Sequence, residues 1–596
     1  MFFTAAVSVS AATVVSMRDY GVVPGKGDMS ARMAKALDRI AAATGKSDVV
    51  LVFEPGVYNF YPDKALKAEY YVSNHDQVTP KSVAINLVGW KGLELQGNGA
   101  EFLCHGRMLP IALIGSERCT LAGFTVDFAD PQVTQYTIVE TNDSATVFKP
   151  EAWVNWSLDS EGKLTVSGHG WKVRPLAAIA FEPDTRRIAY RTSDIDISGA
   201  RFNADKKNGT LTSRNFSRKD LPVGTKIVFR SYERPAPALF LSGDTDTYIN
   251  NVTVHYAEGM GLLAQLCENI SLDGFAVRLR EGGGRYCTTQ ADATHFSGCK
   301  GHIRSVNGFY ENMADDAINV HGTYLRIIAR EGDSTLIGRY MHGQSYGFKW
   351  GDPGDTVQFV ASATMELIGA PAVIKSIEPV DRPTVDGAKE MRVTFDRPLP
   401  DTIGTGIKCG MENLEWTPSV EFAHNTVRNN RARGSLFSTP RSVECLANLF
   451  DHVAGSAILL CGDCNGWYET GACRDVLIAD NTFINPLTSL YQFTEAAISI
   501  YPEIPDLKGQ SQYFHGGNGH GVVIENNRFA LFDAPIVYAK SLDGLRFTGN
   551  TVTTNVDYAP FHRNRFTFKL MRVKNAVIEH NSFDRPEAVS IAVDPE

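Results

Sequence analysis

The sequence has no stretch of about 18 unbroken apolar residues, so nothing in it reads as a membrane-spanning helix and a soluble chain with no membrane partner is expected. Its first fifteen residues, MFFTAAVSVSAATVV, are apolar and small but lack the basic leading segment of a full secretory signal. Residues 1–16 therefore read as a signal-peptide remnant or as a first strand, and a secreted or periplasmic location is the better of the two expectations. Positive charge is in deficit: 58 Lys and Arg against 67 Asp and Glu leave a net charge of −9. That argues against nucleic acid as partner and weighs mildly against a polyanionic substrate such as pectin. Zinc-site spacing is also missing. Cys461-x2-Cys464, with Cys473 nearby, has no matching second pair and no histidine at ligand spacing. The ten cysteines are scattered and read as buried thiols or one local disulfide; no metal and no cofactor is expected. The leucine-x-leucine consensus of a leucine-rich horseshoe is absent as well.

What the sequence does have is a repeat. The pattern apolar-x-x-Asn-x-apolar recurs around Asn425, Asn448, Asn481, Asn527, Asn550 and Asn581, at spacings of 23, 33, 46, 23 and 31 residues. One coil of about 23 residues, lengthened by loops in places, explains every spacing. Short strands joined by asparagine turns at a fixed period predict an all-β, right-handed parallel β-helix. Asparagine is expected at the bend because it tolerates left-handed backbone angles, and stacked asparagines can hydrogen-bond along the axis. A solenoid grows lengthwise, so 596 residues need no single large core.

Along the chain, Met17-Arg-Asp-Tyr-Gly21 leads to a helix after Asp28 with Met33, Ala36, Leu37 and Ile40 on one face, closed by Gly45. An apolar strand, Val49 to Phe53, and Pro55-Gly56-Val57-Tyr58 follow. This order resembles the opening of pectin-lyase-like β-helix proteins, in which the helix caps the solenoid. Residues 17–129 read as this cap and the first coils. The rhythm breaks over 130–235 and again over 324–417, where alternation and turn signals predict two inserted antiparallel β-barrels or sandwiches. Coils resume in 236–323 and run from 418 to 596. The second insertion leaves the chain directly after Asp315-Asp316 and is expected to overhang that pair.

Asp292-Ala293-Thr294-His295-Phe296 and Asp316-Ala317-Ile318-Asn319-Val320 read alike and lie 24 residues apart, one coil. Neighbouring parallel strands run about 4.8 Å apart, so Asp292, Asp315 and Asp316 are expected in one patch. A calcium cage would need six to eight oxygens, which Asn319, His321 and His295 do not supply. Acid–base work fits better: two carboxyls about 6.5–9.5 Å apart would make an inverting glycosidase, and adjacent-coil spacing with a lateral offset is expected to fall in that range. Aligned on the asparagines, the coil after the second insertion puts Gly455-Ser456 at the Asp315-Asp316 place and leaves room for a sugar. The next puts Glu495 there, about 10 Å away. Trp467 and Glu469 offer a stacking face with a hydroxyl partner, and Arg285, Asn319 and His321 complete the expected substrate contacts.

Gly283-Gly-Arg-Tyr286, Gln290-Ala-Asp-Ala-Thr-His-Phe-Ser-Gly-Cys-Lys300 and Asp315-Asp-Ala-Ile-Asn-Val-His-Gly-Thr-Tyr324 resemble the core of glycoside hydrolase family 110. These are exo-acting α-1,3-galactosidases that remove terminal galactose from blood group B and related glycans. The resemblance implies a β-helix with two barrel-like insertions, hydrolysis with inversion, and terminal α-galactosyl oligosaccharides as partners. It further implies Asp315 as general acid, with Asp292 and Asp316 holding and deprotonating water. Exposed solenoid flanks and two projecting barrels are compatible with a homodimer. Two other readings stay open: a polygalacturonase-like hydrolase or lyase, kept alive by Arg278, Arg280 and Arg285, and a non-catalytic glycan-binding β-helix. The last predicts that Asp315→Asn leaves function intact.

Overall fold

The structure, a computed structural model, describes residues 12–490, 495–517 and 519–594. Of the first sixteen residues, 1–11 lie outside this set, and Thr13–Ser16 form a strand paired in parallel with Ser47–Val52.

The backbone is a stack of parallel strands. One column shows the register: Leu239, Leu262, Thr294, Ile318, Ser435, Ile458, Ile498, Val537 and Phe568 follow one another as direct neighbours. Alternating side chains of each strand turn inward and fuse into one apolar core along the axis. Phe450 stacks on Phe483 and Phe483 on Phe529, with ring centroids 5.2 and 4.7 Å apart. The helix Ser30–Thr44 lays Met33, Ala36, Leu37 and Ile40 onto the first coils and ends at Gly45, whose φ is 64°. It shields the terminal core from water, which a bare coil end would expose.

The asparagines form a ladder. Asn448 donates from its backbone and side-chain nitrogens to Asn481 Oδ1, both at 2.9 Å, and Asn481 does the same to Asn527 at 2.9 and 3.0 Å. The pattern continues through Asn550 to Asn581. Their role at the bend differs from expectation. The left-handed residue is the one before each, namely His424, Ala447, Asp480, Asn526, Gly549 and His580, with φ from 52° to 68°. The ladder asparagine is needed for its amide, which satisfies backbone groups of the preceding coil and bonds the asparagine amide of the next, and not for backbone tolerance.

Two antiparallel units interrupt the stack. The first, between Thr134–Thr141 and Lys226–Arg230, is a seven-stranded sheet accompanied by a three-stranded one, Trp156–Leu158, Leu164–Gly168 and Trp171–Val173. The second is a closed six-stranded barrel from Leu325–Arg330 to Cys409–Asn413. Each buries its own core. All ten cysteines are free thiols, so the local disulfide considered from the sequence is not formed.

Candidate active site

The site lies where the chain turns into the column just described. Two positions before each strand the register stacks Met260, Asp292, Asp316, Arg433 and Ser456 on successive coils. One position into the strand it stacks His295, Asn319, Leu436 and Leu459. These residues except Ser456, with Asp315, Asn74, Arg234, Asp463, Trp467, Glu469, Tyr501 and Glu503, line one pocket.

One carboxylate oxygen from each of Asp292, Asp315 and Asp316 lies within 4.8 Å of the other two. The trio is thus tighter than the 6.5–9.5 Å window expected from the sequence. Strand stacking sets this: directly registered side chains keep the coil spacing, and no lateral offset widens it. The stereochemical outcome does not follow from the separation of these three acids.

Their surroundings push the three carboxyls apart in charge. Asp292 is buried, and burial followed by the negative charge of Asp315 raises its pKa to about 8, against the pull of Arg234 and Arg433. For Asp315 burial acts upward too, but the guanidiniums of Arg431, Arg433 and Arg234 outweigh it and hold the group below its usual value. Arg234 Nη2 donates to Asp315 Oδ2 at 3.0 Å, and Arg431 Nη1 stands 3.6 Å from Oδ1. Asp316 is raised, first by burial and then by its two acidic neighbours. Yet each of its oxygens accepts a hydrogen bond from Arg433, backbone N at 2.9 Å and Nη2 at 2.7 Å. One proton between Asp292 and Asp316 relieves both upward pushes, and it sits on Asp292 because Arg433 occupies both oxygens of Asp316. In the free pocket Asp292 is therefore the acid and Asp315 the fixed anion. Three guanidiniums around three acids also make a poor cation cage.

Distant segments supply those guanidiniums. Arg234 follows the first insertion and is fixed by Asp76, which accepts from its backbone nitrogen at 2.7 Å. Arg431 is gripped by Asp194 of that insertion at 2.8 Å. The barrel reaches over the pocket through His342, whose ring stacks on Trp467 with centroids 4.1 Å apart. Asp463 caps the turn that carries Trp467, accepting from the backbone nitrogens of Asn465, Gly466 and Trp467. Asn74 Nδ2 donates to Glu469 Oε1 at 3.1 Å.

Two sequence comparisons decide the family. Residues 134–227 match the model described as GLAA-B beta-barrel domain I, and residues 335–406 the model described as GLAA-B beta-barrel domain II. A protein of Phocaeicola vulgatus named Alpha-1,3-galactosidase B is 53% identical over 577 residues, 96% of this chain and 95% of that one. Proteins of the same name from Parabacteroides distasonis and Bacteroides fragilis are each 51% identical, over 95% and 93% of this chain and 92% and 93% of theirs. The chain belongs to glycoside hydrolase family 110.

In this family 110 chain the pocket gathers Asp292, Asp315, Asp316, Asn319, Trp467 and Glu469. His321 lies directly behind them, buried and in contact with His295. Two expected contacts fall elsewhere. Arg285 does not line the pocket; its Nη2 donates to the buried Asp127 at 2.5 Å, alongside Arg280, where it neutralises an acid of an earlier coil. Glu495 also lies away from it, with Lys569 Nζ 3.5 Å from its carboxylate. The register explains the miss. The coil directly after the barrel carries Ala432-Arg433 at the Asp315-Asp316 place, Gly455-Ser456 come one coil later and Glu495 one later still. Glu495 is thus three rises from Asp315, about 14 Å. Val453-Ala-Gly-Ser-Ala-Ile458 mimics Met313-Ala-Asp-Asp-Ala-Ile318 in its apolar pattern, whereas Asn430-Arg-Ala-Arg-Gly-Ser435 does not. The coil that shapes the pocket is polar there because its side chains meet the acids, and this hides it from an apolar template. Arg433 instead of a small residue at that place is the main functional side chain that sequence spacing missed.

Proposed function

We propose that this chain hydrolyses terminal α-1,3-linked galactose from non-reducing ends, with blood group B and related galactosyl glycans as substrates and inversion at the anomeric carbon. The observation that carries the reading is the carboxyl trio: three acids within 4.8 Å in one pocket, with a proton held on Asp292 and Asp315 kept ionised by arginines. One carboxyl must give a proton to the glycosidic oxygen while another takes one from water. Because the free pocket holds Asp315 ionised, Asp315 must take a proton from solvent as the substrate enters and Asp292 must lose its own; Asp315 then protonates the glycosidic oxygen while Asp292 and Asp316 order and deprotonate the water, which leaves Asp315 ionised and a proton on Asp292 as in the free pocket. Trp467, backed by His342, offers an apolar sugar face, and Asn319, Asn74 and Glu469 offer hydroxyl partners. The relatives' printed name supports the linkage and the sugar. A glycan substrate outside the cell also favours export, testable by fractionating cells that express the full sequence.

The experiment is incubation with branched and linear α-1,3-galactosyl oligosaccharides, following the released anomer by proton NMR. β-Galactose appearing first is expected; α-galactose first, or no release, defeats the proposal.

A further inference from the structure

Behind the trio runs a chain of four titratable side chains, the first three joined by hydrogen-bond contacts and the fourth, Glu469, at ion-pair distance. Asp292 Oδ2 is 2.6 Å from His295 Nδ1, His295 Nε2 is 2.7 Å from His321 Nε2, and His321 Nε2 is 3.4 Å from Glu469 Oε1. The far ring fixes the tautomers. His321 Nδ1 lies 2.6 Å from the carbonyl oxygen of Gly322, an acceptor only, so Nδ1 must carry a hydrogen. A neutral His321 then presents a bare Nε2, and His295 Nε2 must donate to it. A neutral His295 is then bare at Nδ1, and the hydrogen in its contact with Asp292 belongs to the carboxyl. The contacts thus place one hydrogen between Asp292 and His295, and with burial keeping His295 neutral it resides on Asp292.

We propose that Asp292, His295 and His321 form a one-proton relay ending on His321 beside the Glu469 carboxylate, through which Asp292 is converted from a carboxylic acid into a carboxylate base without opening the pocket to bulk water. Asp292 Oδ2 passes its proton to His295 Nδ1, and His295 passes its Nε2 proton to His321 Nε2. Asp292 ends ionised, His295 ends neutral in its other tautomer, and His321 ends as an imidazolium facing the Glu469 carboxylate. One O–H and one N–H bond break and two N–H bonds form, so charge and protons balance. The inference rests on the hydrolase reading for its purpose, not for its geometry.

The groups facing the relay favour these two end states. Asp292 meets Asp315, Asp316, Arg234, Arg433 and Glu469; His295 meets Glu469, Arg234 and Asp315, with His75 beyond; His321 meets Glu469, His295 and Asp292. Burial lowers His295 to about 4, against the upward pull of Glu469, so a neutral His295 in both end states is the favoured form. Glu469 lies below its usual value although burial raises it, because His321, His295 and Arg433 pull harder. A carboxylate at the relay's end is what stabilises an imidazolium there. A metal ion held by His295, His321 and Glu469 fits less well. Two nitrogens on one zinc at about 2.0–2.1 Å would stand about 3.3 Å apart, and 2.7 Å is a hydrogen-bond length.

The direct test is nitrogen-15 NMR of the full-length chain labelled at histidine, assigned with His295→Asn and His321→Asn. At pH 7 the free protein should show His295 protonated at Nε2 and bare at Nδ1, and His321 protonated at Nδ1. His295 protonated at Nδ1, or a zinc ion bound stoichiometrically and lost in His321→Asn, overturns the relay. Kinetically, His321→Asn and Glu469→Gln should each lower kcat about tenfold or more with KM within about threefold. The bowed proton inventory of the parent in mixed H2O/D2O should become linear. An unchanged inventory and kcat in both variants, or a change in KM alone, refutes the inference. A chain inactive on galactosides but showing the stated tautomers would sink the hydrolase reading and spare the relay.

Discussion

Replacing Asp292 by Asn should abolish turnover and yet stabilise the protein, increasingly so as pH rises. The folded chain holds a proton on Asp292 up to about pH 8, whereas the unfolded chain releases it near 3.8. Between those values the folded state binds more protons than the unfolded one, so this group makes parent stability fall as pH rises through the window. Asparagine has no such proton to retain, and its Nδ2 can still donate to the bare His295 Nδ1. Each pH unit is worth about 1.4 kcal/mol, so the advantage of the variant should widen by up to about 3.4 kcal/mol between pH 5 and pH 7.5. With an unfolding entropy of about 2.1 cal/mol/K per residue, that amounts to a relative rise in Tm of about 3 °C over the same range. Thermal unfolding of both proteins in matched buffers from pH 5 to 8.5 measures it. Parallel Tm curves would show that Asp292 is ionised in the folded state, and the charge assignment of the whole pocket would fall with it.

Other substitutions separate function from scaffolding. Arg433→Met leaves Asp316 buried without its guanidinium. We expect a loss of about 3–5 kcal/mol near pH 7.5 that shrinks in acid as Asp316 takes a proton, with activity down about a hundredfold or more, read by denaturation and by galactose release. Arg285→Ala should keep kcat within about twofold while costing about 1–3 kcal/mol, because Asp127 retains Arg280; a large kcat loss would return Arg285 to the site. Glu495→Gln should likewise leave kcat and KM within about twofold. Asn527→Ala removes the acceptor for two Asn481 donors and a donor to the Ile478 carbonyl, so unfolding should become easier by about 2–4 kcal/mol with the kinetics unchanged.

How much of this was legible in the sequence varies from residue to residue. The asparagine period gave the coil because each amide satisfies backbone groups on the preceding coil and bonds the asparagine of the next, which forces recurrence at a fixed place. The 24-residue offset between Asp292 and Asp316 gave their adjacency for the same reason: a solenoid converts sequence period into spatial neighbourhood. Asp315 could be found only as the neighbour of Asp316, and its charge state could not, since Arg234 and Arg431 arrive from beyond each insertion.

The sequence by itself therefore determined the coil, its period, and which acids share a patch, all of which are local pairing rules repeated along one axis. Only the tertiary structure decided which acid keeps the proton, that Arg433 stands where a gap was expected, that Arg285 serves the scaffold, and that two histidines link Asp292 to Glu469. Those outcomes depend on burial and on arginines that lie beyond each insertion, and no periodicity in the chain encodes them.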